Sequence, residues 1–222
     1  MKFRHEWKHT ITALDRLVLR ARLAAVARPD GNGNAGTYEI RSLYFDDPQD
    51  SALREKIDGV NLREKFRIRY YNGDPSFIRL EKKSKLNGLC CKESEGWTAE
   101  ETAALLAGDA AWMLQSERPL TKELYTKMKL KGLQPKTVVD YIREAFVFPA
   151  GNVRITLDYR IRTGSPSGFL APESLSLPVE GDPILLEVKW DEYLPDIIRD
   201  AVQLEGRRSC AFSKYAACRV YG

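Results

Sequence analysis

The 222-residue chain contains only two histidines, His5 and His9. Both lie near its start, far from any cysteine, and no CxxC pair exists. A Ser-His-Asp arrangement and a Cys/His zinc site both lack their parts. Two of the four cysteines, Cys90 and Cys91, are adjacent, a spacing that rarely bridges; with Cys210 and Cys218 they are expected as reduced thiols. No run approaches the roughly 18 apolar residues of a membrane span, and "MKFRHEWKHT" lacks the apolar region of a secretory signal. No GxxxxGK[ST] motif occurs, which excludes P-loop chemistry. Net charge is only +4, so the chain is no polybasic tail. With no fixed-period repeat and no composition break, one domain over 1–222 in the cytoplasm is expected, without a membrane segment.

Charge of both signs is abundant, and its placement is unusual. In "REKFRIRYYNGDPSFIRLEKKSK" (63–85), Arg63, Lys65, Arg67 and Arg69 alternate with Phe66, Ile68 and Tyr70. Beyond the "NGDPS" turn, Arg79, Glu81, Lys83 and Lys85 share one strand face, opposite Ile78 and Leu80. The alternation recurs. Glu6 and Lys8 share a face, as do Tyr141 and Arg143, and Glu187 and Lys189. Arg154, Asp158, Arg160 and Arg162 fall opposite Val153, Ile155, Leu157 and Ile161.

Other strands are read at 2–10, 37–47, "LCCKESEGW", 136–148, 152–163 and 184–190, about eight in all. Capping signals predict helices after Thr12 and Thr98, a helix over 119–131 ending at Gly132, and an amphipathic helix over 194–205. The run "GSPSGFLAPESLSLPVEGDP" reads as a loop.

A sheet with one face in water would accommodate a single strand of this kind. Five or six such strands favour another arrangement, an α+β fold with a closed antiparallel β-barrel of about eight strands and flanking helices. The apolar faces then pack outward on the helices, and the charges line a wet lumen. Crowded like charges need a counter-ion, and a polyanion with divalent cations supplies it. Arginine and lysine grip phosphate, and carboxylates hold Mg²⁺ or Mn²⁺. These are the parts of a phosphoryl-transfer site.

The ordered signposts "RHEWKHT", "IRSLYFDD", "REKFRIRYY", "IRLEKKSK", "YIREAF", "VRITLDYRI", "LLEVKW" and "FSKY" span nearly the whole chain. In these the sequence resembles the polyphosphate polymerase domain of the vacuolar transporter chaperone (VTC) complex, a branch of the triphosphate tunnel metalloenzymes. The resemblance implies the tunnel barrel, with Lys8, Arg67, Arg69, Lys83, Lys92 and Arg143 binding phosphates and Glu187 holding Mn²⁺ or Mg²⁺. It brings Lys214 from the C-terminal helix to the reacting phosphates, and Ser42 and Tyr141 to the tunnel face. ATP or another nucleoside triphosphate would be the donor, with Arg67, Arg69, Arg143 and Lys214 as catalytic groups and inorganic polyphosphate as acceptor.

Two positions depart from the family pattern. The first strand has Glu6-x-Lys8 after Arg4, not the ExExK of the thiamine-triphosphatase branch, and Cys210-Ala211 stands where Pro-Lys usually precedes "FSK". Two other readings stay open. One is hydrolysis of tripolyphosphate or a nucleoside triphosphate on the same scaffold, and the other is a non-catalytic polyanion-binding module. Nucleic acid is disfavoured as a partner, because Phe66, Ile68 and Tyr70 sit opposite the arginines, where they cannot stack on bases.

Overall fold

The computed structural model describes residues 4–87, 89–171 and 173–219. Residues 2 and 3 of the first expected strand, and the last three residues of the C-terminal tail, lie outside them. In chain order the elements are β1 (His5–Ile11), α1 (Ala13–Val26), β2 (Arg28–Pro29), β3 (Thr37–Asp46), α2 (Ser51–Ile57), β4 (Arg63–Tyr71) and β5 (Asp74–Leu86). There follow β6 (Leu89–Trp97), α3 (Ala99–Leu106), α4 (Trp112–Gln115), α5 (Pro119–Lys131), β7 (Gln134–Phe148) and β8 (Val153–Gly164). The last are β9 (Ser176–Pro178), β10 (Ile184–Trp190), α6 (Asp196–Val202) and α7 (Lys214–Cys218).

Local chemistry accounts for most boundaries. Thr12 and Thr98 cap α1 and α3 in reciprocal boxes with Asp15 and Glu101. Gly132, at φ 69°, ends α5 in the left-handed region that glycine enters without strain. Four elements were not anticipated: the short β2 and α4; β9, a short strand inside the expected loop; and α2, which follows strand β3. The Asp46 and Asp47 carboxylates accept from the backbone N–H groups of Ser51, Ala52 and Leu53, occupying donors that the first turn of α2 leaves open. The last long helix is shorter than expected, running only over Asp196–Val202.

The sheet is antiparallel, in the order β1-β10-β8-β7-β3-β4-β5-β6, with β2 beside β7 and β9 beside β8. Among the described residues no continuous ladder closes it, and its edges meet at one bridge, where the Arg4 N–H donates to the Cys90 carbonyl and the Cys90 N–H to that of Arg4. The Lys83 ammonium on β5 also reaches the Glu6 carboxylate on β1, at 3.0 Å. Below the bridge, the Cys210 N–H donates to the Lys8 carbonyl, so the C-terminal segment occupies part of the β1 edge. The expected closed barrel is therefore a barrel with a seam.

The outer face of the sheet is apolar along both halves of the strand order. Leu43, Phe66, Ile68, Ile78 and Leu80 pack with Leu105, Met113, Leu120 and Leu124 of α3 to α5. Ile155, Leu157, Leu186 and Val188 pack with Leu19 and Leu23 of α1 and Ile198 and Val202 of α6. Burying such side chains contributes about 1.5–3 kcal/mol each. Most of the hydrophobic stabilisation thus sits outside the barrel; on the inner face the charges share the interior with a third buried cluster that includes Ile40, Val139, Ile161 and Leu185.

Candidate functional site

The strand registers place the charged faces together. Across β4, β5 and β6, Lys65 pairs with Lys83 and Lys83 with Lys92, and in the next rung Arg67 pairs with Glu81 and Glu81 with Ser94. Across β1 and β10, Lys8 faces Glu187 and Glu6 faces Lys189. Arg143 on β7 faces Asp158 on β8.

Three clusters form on this wall, each around buried carboxylate. In the first, Arg67 donates to Glu81 at 2.7 Å and to the Tyr44 hydroxyl at 2.7 Å. Lys92 reaches Glu81 at 3.0 Å, and Arg69 lies 3.8 Å away. Arg69 also donates to the Ser42 hydroxyl at 2.9 Å and the Tyr141 hydroxyl at 3.0 Å. Burial alone would raise the Glu81 pKa, but these cations carry it well below the usual carboxylate range. Glu81 therefore pairs with Arg67, Arg69 and Lys92, not with its strand neighbours Arg79 or Lys83.

In the second, Arg143 clamps Asp158 with two 2.7 Å hydrogen bonds, the fork geometry peculiar to arginine. Lys214 approaches the same carboxylate at 2.6 Å, and its ammonium lies 4.7 Å from the centre of the Tyr141 ring. Asp158 is fully buried, and burial opposes its charge, yet Arg143 and Lys214 hold its pKa down to about 2. Helix α7 is held in place by the Tyr215 hydroxyl, which donates to Asp46 at 2.6 Å.

The third joins Glu6 and Glu187. Lys8 spans them at 3.1 and 3.5 Å, Lys83 binds Glu6, and Lys189 contacts both. Burial and the neighbouring Glu187 push the Glu6 pKa up, but Lys83, Lys8 and Lys189 outweigh them and bring it to about 2. Glu187 is likewise held well below the carboxylate range, most strongly by Lys189 and Lys8.

Every residue singled out from the sequence, namely Lys8, Ser42, Arg67, Arg69, Lys83, Lys92, Tyr141, Arg143, Glu187 and Lys214, falls on this wall. Lys92 is the most exposed of those in ion pairs, on edge strand β6. Two expected wall residues do not. Arg160 adopts φ 51° at a bulge between β7 and β8, which reverses the alternation. Arg160 and Arg162 thus turn to the exterior, where Arg162 bonds Ser176. Arg154 stays inside, donating to Tyr38.

Sequence reading missed Tyr44, Asp158 as the shared partner of Arg143 and Lys214, and Glu6 as a second carboxylate beside Glu187. Period-two spacing from Ser42 marks Tyr44, but no sequence signal marks the Asp158 pairing. Among the described residues, no group of three or more His, Cys, Asp or Glu side chains could hold a metal ion. Glu6 and Glu187 offer oxygen ligands from two carboxylates, the small protein share typical of Mg²⁺ or Mn²⁺ sites completed by phosphate and water.

Solved structures share this fold, among them two candidate cyclases. The Hippeastrum protein HpAC1, described as a candidate adenylyl cyclase with a dominant triphosphatase activity, is 15% identical, with TM-score 0.57 over 100% of this chain and 96% of its own. A candidate adenylate cyclase from Bacillus halodurans is 12% identical, with TM-score 0.52 over 85% of this chain and 80% of its own. A search of curated proteins found no match. The VTC domain, by contrast, matches residues 3–221, nearly the whole length over which the inward-facing cations and carboxylates are distributed. The chain belongs to the VTC domain family.

Proposed function

We propose that the protein is a metal-dependent polyphosphate polymerase, transferring the γ-phosphate of ATP or a similar nucleotide to the end of a polyphosphate chain inside the barrel. The observation that carries this reading is the wall itself. Partly exposed arginines and lysines converge on a few buried carboxylates that they outnumber, and buried ion pairs are weak stabilisers. Such a wall suits a dense anion that competes for the cations.

Arg67, Arg69 and Arg143 would bind the transferring phosphoryl group and stabilise the charge on its oxygens, with Lys214 beside them. Lys8, Lys83 and Lys92 would hold the neighbouring phosphates, and the hydroxyls of Ser42 and Tyr141 would fix the Arg69 fork. Glu187, with Glu6 diagonal to it on β1, would hold Mg²⁺ or Mn²⁺, which when bound would offset phosphate charge. The terminal oxygen of the polyphosphate chain forms a bond to the γ-phosphorus as the bond from that phosphorus to the bridging oxygen breaks, leaving the nucleoside diphosphate.

The acid–base character of the wall supports polyphosphate over water as the acceptor. Its carboxylates are held ionised at low pH, so they are poor proton acceptors, and both histidines fall on the opposite strand face. The end of a phosphate chain is already ionised and needs no base, whereas water does. Hydrolysis is the second reading, and the shared fold of HpAC1 with its described triphosphatase activity favours it.

Product analysis decides between them. The purified protein is incubated with ATP and Mn²⁺ or Mg²⁺, with and without a short polyphosphate primer, and the products are separated on a gel. The polymerase reading predicts a metal-dependent ladder that lengthens with time. Orthophosphate without a ladder would make the protein a hydrolase.

A further inference from the structure

Lys65 differs from most cations around it. Lys8, Arg67, Arg69, Lys83, Lys92, Arg143, Lys189 and Lys214 each have a carboxylate within ion-pair distance. Lys65 has none among the described residues, and its ammonium instead lies 4.8 Å from the centre of the Tyr215 ring. The carboxylate that influences it is Asp46, which is already committed to the N–H groups of Asp47, Ala52 and Leu53 and the Tyr215 hydroxyl.

The surroundings of Lys65 are cationic. Lys83 stands directly opposite on β5 and Lys92 beyond it on β6, a rung of three lysines across adjacent strands. Like charges so placed are destabilising. Arg63 pairs with Lys85 in the next rung. Helix α2, which packs on β4, adds Lys56, whose pKa is lowered by burial and then by Arg63, Lys8 and Lys85. Burial, Lys56 and Arg63 together outweigh Tyr44 and Asp46 and bring the Lys65 ammonium down to about 8.

Among the described residues the barrel therefore has a stretch whose cations are ion-paired, at Arg67, Arg69 and Glu81, and one whose cations have no ion-pair partner, at Lys65, Lys56, Arg63 and Lys85. We propose that Lys65 binds phosphates of the polyphosphate chain beyond the reacting group, so that the growing chain lies along the Lys65 end of the barrel and the nucleotide triphosphate does not. This inference rests on the polymerase reading and adds to it a direction and a chain-selective residue.

The test is calorimetric binding of inorganic tripolyphosphate and of a polyphosphate several residues longer to the full chain and to its Lys65→Met and Lys65→Arg variants. Lys65→Met should weaken binding of the longer chain roughly tenfold, the worth of a charge-assisted hydrogen bond, and leave tripolyphosphate binding unchanged. Lys65→Arg should restore the longer chain. A purely structural role would not discriminate between the two lengths. Equal weakening of both would place Lys65 in the triphosphate site and overturn the inference, as would no weakening of either. If those results came from a protein that still makes a ladder from ATP, the inference alone would fail. A wild-type protein that bound neither anion would defeat the polymerase reading and this inference with it.

Discussion

The two faces of the same strands can be compared residue by residue. On β4 and β5, Phe66, Ile68, Ile78 and Leu80 point outward and are buried against helices. Their immediate neighbours Arg69 and Glu81 point inward and are also buried, with Arg67 half-buried beside them, but among one another. Burial is similar on both faces, and its energetics are opposite. Outward burial removes apolar surface from water and stabilises the fold. Inward burial desolvates charge, a cost that ion pairing offsets only in part. The outer face should therefore carry stability and the inner face chemistry, and substitutions can separate them.

The largest effect is expected on the inner face. Arg67→Ala removes a donor to the transferring group and should lower turnover by about 10²–10³-fold, as measured by initial rates of nucleoside diphosphate release. Glu81 keeps Lys92 and Arg69, so the thermal midpoint should stay close to that of the parent. A matching loss of midpoint would mean that Arg67 holds the fold together.

The outer face should respond in the opposite sense. Leu80→Ala leaves a cavity beneath α3 to α5 and should cost about 2–5 kcal/mol in denaturant titration, with turnover per folded molecule retained. A loss of turnover at full folding would break the separation.

Acid should act through the inner face. Glu6 and Asp158 are held down to about 2, below their unfolded values near 4. The stability they contribute is present above pH of about 4 and is lost as pH falls through about 2. Asp158→Asn should flatten that part of the pH–stability curve, followed by circular dichroism. An unchanged acid limb would contradict the assigned ion pairs.

The smallest effect concerns the bulge. Arg160→Gly relieves a left-handed residue on the exterior and should leave turnover unaltered while raising stability by up to about 1 kcal/mol. Lost activity would return Arg160 to the tunnel.

Much of this arrangement was legible in the sequence, because a strand's period of two sorts side chains by face without knowledge of their partners. That rule located the wall through Lys8, Arg67, Lys83, Arg143 and Glu187. It failed where the chain breaks period. At Arg160 a positive φ is invisible, since the residue type is not one that favours it. Helix α2 was hidden because part of what supports it, the Asp46 and Asp47 carboxylates, belongs to the end of the preceding strand. The sharing of Asp158 by Arg143 and Lys214, and the seam held by Arg4, Cys90 and Cys210, depend on residues far apart in sequence, which no local pattern encodes. The family resemblance added Lys214, whose place on a short helix after an irregular segment carries no periodic signal.

The central claim is tested most directly by two adjacent residues on one strand. Ile68→Ala and Arg69→Met are compared with the parent for thermal midpoint and for polyphosphate formed from ATP per folded molecule. The account predicts that Ile68→Ala lowers the midpoint and keeps synthesis, whereas Arg69→Met abolishes synthesis at an unchanged or higher midpoint. If Arg69→Met unfolded the protein, or folded and still synthesised polyphosphate, the division of labour between the two faces would be wrong.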